Sequence, residues 1–255
     1  MPILGIIASS LRRIPAGVNW TQRTLPANTG WSSVTFGAST FVAVAAGSSI
    51  AATSADGITW TQRTLPANTG WIGVTFGAST FVAVADGSSI AATSADGITW
   101  TQRTLPANTG WSSVTFGAST FVAVAYGSSI AATSADGITW TQRTLPASST
   151  WTFVTFGAST FVAVAQNSTI AATSADGITW TQRTLPANTG WNSVTFGAST
   201  FVAVAQGSSI AATSADGITW TQRTLPASAT WLEVTFGAST FVAVAYGSSI
   251  AATSP

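Results

Sequence analysis

The feature that most constrains this chain is a repeat of 40 residues that runs through nearly all of its 255 residues. A period of this length is typical of stacked or circular arrays, in which each copy buries its apolar surface against the next copy. One tryptophan marks the repeat at intervals of 40 residues, at Trp20, Trp60, Trp100, Trp140, Trp180 and Trp220.

Each copy predicts four short strands, which we name A, B, C and D in chain order. Between them lie GAS, DGS, ADG and LPANTG, which are rich in the residues that favour turns. Four strands joined by short turns form an antiparallel meander. In the copy that starts at Trp71, the predicted strands are WIGVTFG (71–77), TFVAVA (80–85), SIAATS (89–94) and ITWTQRT (98–104).

Strand B indicates how the copies associate. Phe81, Ala83 and Ala85 point to one face of this strand, while Val82 and Val84 point to the other. A strand that is apolar on both faces must be covered on both faces, and one sheet cannot do this alone. Copies stacked face to face around an axis can, so we predict an all-β fold, a β-propeller with one blade per copy. A β-solenoid is the alternative, although its coils are usually shorter.

The order of strands along the chain predicts how the ring closes. The chain begins with an isolated strand D, Val18–Thr24, and ends with strands A, B and C that lack a strand D. We therefore predict a six-bladed β-propeller of 40-residue, four-stranded blades. Pairing of the N-terminal strand Val18–Thr24 with the C-terminal blade would close it. The predicted domains are an N-terminal arm (1–17) and a single propeller (18–255), and we expect a monomer.

The segment SADGITW resembles the Asp-box, or BNR repeat, of sialidase-like propellers, whose usual pattern is S-x-D-x-G-x-T-W. Here the motif is one residue shorter between Asp and Gly. The resemblance implies a structural turn, in which the aspartate accepts backbone N–H groups and the glycine adopts a positive φ. One carboxylate per turn forms neither a calcium cage nor a catalytic pair. The aspartates concerned are Asp56, Asp96, Asp136, Asp176 and Asp216.

Composition argues against several functional classes. Only 6% of the residues are charged, the net charge is +1, and the chain has no Lys, His or Cys. We therefore expect no nucleic-acid partner, no metal site and no cofactor. No apolar run approaches the ~20 residues of a membrane helix, and MPILGII lacks the basic leader of a signal peptide. General acid–base groups are nearly absent and Glu233 is the only glutamate, so we expect no enzyme activity.

The differences between copies indicate where a ligand would bind. They lie in the D–A loop, in the B–C loop and in the two residues after the tryptophan of strand A. In a meander these segments share one end, so the differences gather near the mouth of the central channel, on a surface suited to recognition. The predicted ligand-binding residues are Ile72, Asp86, Tyr126, Thr152, Phe153, Gln166, Asn167, Asn192, Gln206, Leu232, Glu233 and Tyr246.

These residue types suggest a lectin-like, non-catalytic binding protein. Tyr126 and Tyr246 offer stacking surfaces, and the acids and amides offer hydrogen bonds, which suits a glycan or a cell-surface polymer. Similar sites around a ring would bind by multivalency. The first residues, MPILGIIASS, resemble the opening of phage tail-associated proteins, which implies an attachment arm and association with a virion. The alternatives are an engineered or recently amplified scaffold without a ligand and, third, a sialidase-like glycoside hydrolase.

Overall fold

The computed structural model describes residues 21–254, and in them every regular element is a β-strand. No helix in this part of the chain has the length and apolar character needed to cross a membrane. The all-β prediction is therefore confirmed. The strands are β1 (Gly30–Gly37), β2 (Thr40–Ala46), β3 (Ser48–Ser54), β4 (Thr61–Gly77), β5 (Thr80–Asp86), β6 (Ser88–Ser94), β7 (Thr101–Gly117), β8 (Thr120–Tyr126), β9 (Ser128–Ser134), β10 (Thr141–Gly157), β11 (Thr160–Ser174), β12 (Thr181–Gly197), β13 (Thr200–Gln206), β14 (Ser208–Ser214), β15 (Thr221–Ala229), β16 (Trp231–Gly237), β17 (Thr240–Ala245) and β18 (Ala251–Ser254).

The strands form six repeating units, which we number in chain order. Strands β1 to β15 pair in sequence, each antiparallel to the next, and β16 to β18 form a separate three-stranded sheet. The first half of β4 pairs with β3 and the second half with β5, so one long strand is strand D of unit 1 and strand A of unit 2. Strands β7, β10 and β12 join successive units in the same way. Units 1, 2, 3 and 5 are thus four-stranded, in unit 4 the single strand β11 spans strands B and C, and unit 6 contains three strands in the described residues.

The segment LPANTG, predicted as a loop, is extended backbone in β4, β7 and β12, so that prediction was wrong there. In β4 its Leu65 is buried at 2% exposure, and the carbonyl of Ala67 accepts a hydrogen bond from Trp71 Nε1 at 3.0 Å. These two contacts hold the segment extended as it passes from the outer strand of one unit to the inner strand of the next. Strand D also begins later than predicted, because Ile58–Trp60 belong to the preceding turn.

The two-faced burial of strand B is confirmed. Val82 and Val84 of unit 2 pack against unit 3, in a cluster that includes Trp111 and Phe121. Phe81 and Ala83 of the same strand pack against unit 1. The tryptophan of strand A fills the interface between units, and Trp111 is fully buried. Units 2 to 5 are therefore covered by their neighbours on both faces.

A glycine at the end of strand A sets how closely two units approach. A Cβ at Gly117 would overlap the ring of Phe156 in the next unit, so only glycine leaves room for that ring. The same overlap with the following phenylalanine holds at Gly37, Gly77, Gly157 and Gly197.

The SADGITW turns have the structure that the sequence predicts. The hydroxyl of Ser134 donates to Asp136 Oδ1 at 3.0 Å and accepts the N–H of Gly137 at 2.8 Å. Asp136 Oδ1 also accepts the N–H groups of Ile138 and Thr139. The N–H groups of Thr139 and Ile138 stabilise the carboxylate and lower the pKa of Asp136. Gly137 has a φ of +74°, as expected for its place in the turn.

The predicted closure by Val18–Thr24 is not seen in the described residues. Residues 18–20 lie outside them, and Thr21–Thr24 form no strand. Within the described part of the chain, β18 pairs with β17 alone. The facing sides of units 6 and 1 are also open, because Val34 is 58% exposed and Val244 is 45% exposed, whereas the equivalent Val114 and Val84 are buried.

Removing the serine hydroxyl of one turn tests its structural role. Ser134→Ala leaves the buried N–H of Gly137 without its acceptor, so the free energy of unfolding in urea should fall by about 1–3 kcal/mol. The exposed Gln142 on the neighbouring strand provides the control, since Gln142→Ala should change stability by less than about 0.5 kcal/mol. Equal stabilities of the two variants would contradict this account of the turn.

Candidate functional site

The inner ends of the units enclose a cavity of about 570 Å³. All six units contribute to its wall, chiefly through the two residues that follow the tryptophan of strand A. The structure therefore brings most of the predicted ligand-binding residues to one place. Nine of the twelve line this cavity: Ile72, Asp86, Tyr126, Thr152, Phe153, Gln166, Asn192, Leu232 and Glu233.

Three predicted residues lie outside this cavity. Asn167 is at the exposed tip of the B–C turn of unit 4, with a φ of +53°. The side chain of Gln206 lies over Gly190, with its Cγ 2.6 Å from the place a Cβ would take on that glycine. Tyr246 is 72% exposed on unit 6.

The first residue of the variable pair links neighbouring units by a hydrogen bond. The hydroxyl of Ser32 donates to the carbonyl of Trp71 at 2.7 Å, across the interface between units 1 and 2. A hydroxyl or amide at this position therefore serves the fold as well as the cavity wall. The equivalent bonds are Ser112 to Trp151 at 2.8 Å and Thr152 to Trp191 at 2.9 Å, whereas the longer Asn192 donates its Nδ2 to the carbonyl of the next residue, Leu232, at 2.6 Å.

The second residue of the pair also has a structural role, which sequence reasoning missed. Ser193 is fully buried, and its Oγ accepts the N–H of Val234 at 3.3 Å. Ser33 and Ser113 accept the equivalent N–H groups of the next units. The recurrence of serine at this position in three copies was the signal that could have revealed it.

Two of the predicted residues are partly buried in the interfaces between units. Ile72 is half-buried against the core between units 2 and 3, and Phe153 is half-buried against the core between units 4 and 5. Each replaces a small polar residue of the other copies, and each exchanges a hydrogen bond between units for apolar contact. Both still line the cavity, so they present an apolar patch to any occupant.

Among the residues lining the cavity, the charged side chains are Asp86 and Glu233, both acidic. The carboxyl of Glu233 is open to the water of the cavity but has protein atoms around it, and this desolvation raises its pKa. The arginines of strand D lie elsewhere; Arg103 Nε, for example, donates to Thr93 Oγ1 at 2.9 Å. Across residues 21–254 we find no group of three metal-ligating side chains.

Asp86 and Tyr126 meet at Gly110, on the strand between them. The place that a Cβ would take on Gly110 lies 3.1 Å from Asp86 Oδ1 and 3.6 Å from Tyr126 Cβ. Tyr126 is 53% exposed, so most of its ring is free. A carboxylate of unit 2 and an aromatic ring of unit 3 therefore share one edge of the cavity.

Comparison with known proteins identifies the fold. No protein-family model and no curated protein matches the sequence. Among solved structures, a catalytically inactive virginiamycin B lyase from Staphylococcus aureus with quinupristin matches with a TM-score of 0.79 and 14% identity, over 89% of this chain and 84% of that chain. YCF48 bound to D1 peptide matches with a TM-score of 0.66 and 16% identity, over 90% and 82%. The computationally designed Ika8 protein matches with a TM-score of 0.67 and 15% identity, over 88% and 70%.

These neighbours are β-propeller proteins, so the chain is a β-propeller repeat protein. They also correct one expectation. The prediction that this chain is not an enzyme is wrong as a conclusion, because virginiamycin B lyase is an enzyme with the same fold. The fold is consistent with both enzymes and binding proteins.

Unit 2 lacks the serine that accepts an N–H group of the next unit in units 1, 3 and 5, and introducing it tests its role. A Cβ on Gly73 would meet Val114 Cγ1 at 3.5 Å and Val114 N at 3.6 Å, so a serine fits there. Gly73→Ser should raise the free energy of unfolding by about 0.5–1.5 kcal/mol through a new hydrogen bond to Val114 N–H. Gly73→Ala has no hydroxyl and benefits only from the lower conformational entropy of the unfolded chain, so its free energy of unfolding should rise less. Equal gains would contradict the hydrogen-bonding role.

Proposed function

We propose that the central cavity is a ligand-binding site and that its ligand is a glycan or another hydroxyl-rich cell-surface polymer. One observation carries the proposal: nine of the twelve predicted ligand-binding residues, all at positions that differ between copies, line a single cavity. The surrounding interfaces are nearly identical from unit to unit. Variation that is concentrated on one concave surface of a rigid scaffold is typical of a recognition site.

The chemistry of the wall supports a sugar. The exposed ring of Tyr126 offers an apolar face to a pyranose, while the amides of Gln166 and Asn192 can hydrogen-bond hydroxyl groups. The cavity volume of about 570 Å³ lies within the range usual for small-ligand pockets. A longer polymer could contact the rim through Tyr246 and Asn167.

The second candidate is an engineered or recently amplified scaffold without a ligand. The hydrogen bonds of Ser32, Thr152 and Asn192 between units favour it, because they give these positions a structural purpose. They do not account for Tyr126, Asp86 or Glu233, which lie in the cavity wall rather than in an interface core.

We also propose that the molecule closes into a six-bladed ring over residues 18–255, with residues 1–17 as an arm. In closed form, Val34 and Phe36 of unit 1 would meet Val244 and Gly237 of unit 6, as their equivalents meet in each internal interface. Gly237 has no atom within 4 Å of its Cβ position, which leaves space for Phe36.

A second cavity supports the proposed role of strand Val18–Thr24. It measures about 600 Å³ and lies between units 5 and 6, where it is lined by Val202 and Phe241. In unit 5 the ring of Trp220 lies 6.4 Å from that of Phe201, the equivalent of Phe241. Trp20 has the same repeat position as Trp220, so it is the residue we expect to fill this cavity.

Two tyrosines at the same repeat position provide a matched test of the binding site. Tyr126 lines the cavity and Tyr246 does not. On a glycan array, Tyr126→Ala should weaken binding of any captured glycan by about tenfold, the effect of one lost aromatic contact. Tyr246→Ala should weaken it by less than about twofold. Equal losses of binding in the two variants would contradict a binding site in the cavity. A wild-type protein that captures no glycan would support the alternative, a scaffold without a ligand.

Ring closure is tested by two glycines. Gly117→Ala should lower the free energy of unfolding by about 1–3 kcal/mol, because the new Cβ overlaps Phe156. In a closed ring Gly237 faces Phe36, so Gly237→Ala should cost about as much in the same urea titration. A Gly237→Ala variant as stable as the wild type would contradict closure.

A further inference from the structure

We infer that the ligand of the central cavity carries a positively charged nitrogen, as the ammonium group of a free amino sugar does. This inference rests on the proposed binding site and specifies its ligand. It follows from the charge of the cavity wall, from the pairing of a carboxylate with an aromatic ring, and from the place of the arginines.

The charged side chains of the cavity wall are all acidic. Asp86 belongs to the B–C turn of unit 2, and Glu233 belongs to strand A of unit 6. These two acids are the charged members of the cavity lining, so the cavity carries negative charge with no basic side chain beside it. Walls of low dielectric constant concentrate such a field inside a cleft, which attracts cations and repels anions.

The two carboxylates differ from those of the structural turns. Asp96 accepts the N–H groups of Ile98 and Thr99 at 2.8 and 2.9 Å, so its turn satisfies its charge. Glu233 has no such support: desolvation by the surrounding protein atoms raises its pKa, and no hydrogen bond lowers it. A carboxylate in that position gains from a cationic partner that the chain itself does not supply.

An aromatic ring stands next to one of the carboxylates. Asp86 Oδ1 and Tyr126 Cβ both lie within 4 Å of the place a Cβ would take on Gly110, and Tyr126 is 53% exposed. An ammonium group held there would lie within reach of both a carboxylate and an aromatic side chain. This arrangement distinguishes an ammonium from a neutral hydroxyl, which would gain only a hydrogen bond.

The position of the arginines argues against an acidic ligand. In the described residues after Arg23, the arginines lie on strand D, as at Arg63, Arg103 and Arg143, where the guanidinium is held against a threonine hydroxyl. These side chains are absent from the cavity wall. A carboxylated or sulfated sugar would meet two like charges in the cavity and no basic partner.

The test compares two probes of equal length. The glucosamine tetramer and its N-acetylated form differ in whether each nitrogen is an ammonium or a neutral amide. By isothermal titration calorimetry at mildly acidic pH, wild-type protein should bind the glucosamine tetramer about tenfold more tightly. That preference should shrink as salt is raised from 0.05 to about 0.5 M, because salt screens the charges.

Three variants connect the preference to the cavity. Asp86→Asn and Glu233→Gln should each lower the affinity for the glucosamine tetramer more than the affinity for the acetylated tetramer, and so remove most of the preference. Gln206→Glu adds an acid at the repeat position of Asp86 but outside the cavity. It serves as the control and should change neither affinity by more than about twofold.

The outcomes separate this inference from the proposed function. Equal affinities for the two tetramers, both reduced by Tyr126→Ala, would overturn the inference and leave the binding site standing. A preference that persists in the Asp86→Asn/Glu233→Gln double variant would also overturn it, since the charge would then act elsewhere. If neither tetramer binds, the inference falls, and the glycan array decides the binding site by itself.

Discussion

The structure depends on covering a strand that is apolar on both faces. In each unit the second strand carries valines on one side and phenylalanine and alanines on the other, and a single sheet leaves one of these sides in water. Neighbouring units supply the missing cover, as Trp111 of unit 3 does for Val82 and Val84 of unit 2. Burying a tryptophan of this kind removes about 150–250 Å² from water, an upper bound of roughly 4–6 kcal/mol. Stacked units are the result.

This packing also explains where the copies can differ. The interface residues, the glycine beneath the next phenylalanine and the aspartate turn each have a defined contact, so changing one of them disturbs a neighbouring unit. The inner ends of the strands border a cavity and tolerate substitution more readily. Even there, part of the variation is structural, since Ser112 and Thr152 hydrogen-bond the next unit. Asp86, Tyr126 and Glu233 are the residues that the fold does not require.

Sequence reasoning predicted the strand pattern, the two-faced strand B, the aspartate turns and the grouping of most variable residues, because all of these follow from periodicity. It missed features that depend on contacts and backbone conformations of the folded molecule. The segment LPANTG has turn-forming letters but is held extended by Leu65 and Ala67. The A–B turns place Ala118 and Ser119 at φ values of +44° and +58°, a conformation for which glycine or asparagine is the usual signal. Which of two equivalent tyrosines lines the cavity depends on the place of each unit in the array.

Hydrogen exchange resolved to individual strands tests the central claim, that covering strand B on both faces stabilises the molecule. The account predicts that amides of β8, which has a neighbour on each face, exchange only through global unfolding. Amides of the outer segment Thr101–Thr104 should exchange through smaller local openings. If the amides of β8 exchange as readily as those of Thr101–Thr104, face-to-face packing between units is not what holds the fold together.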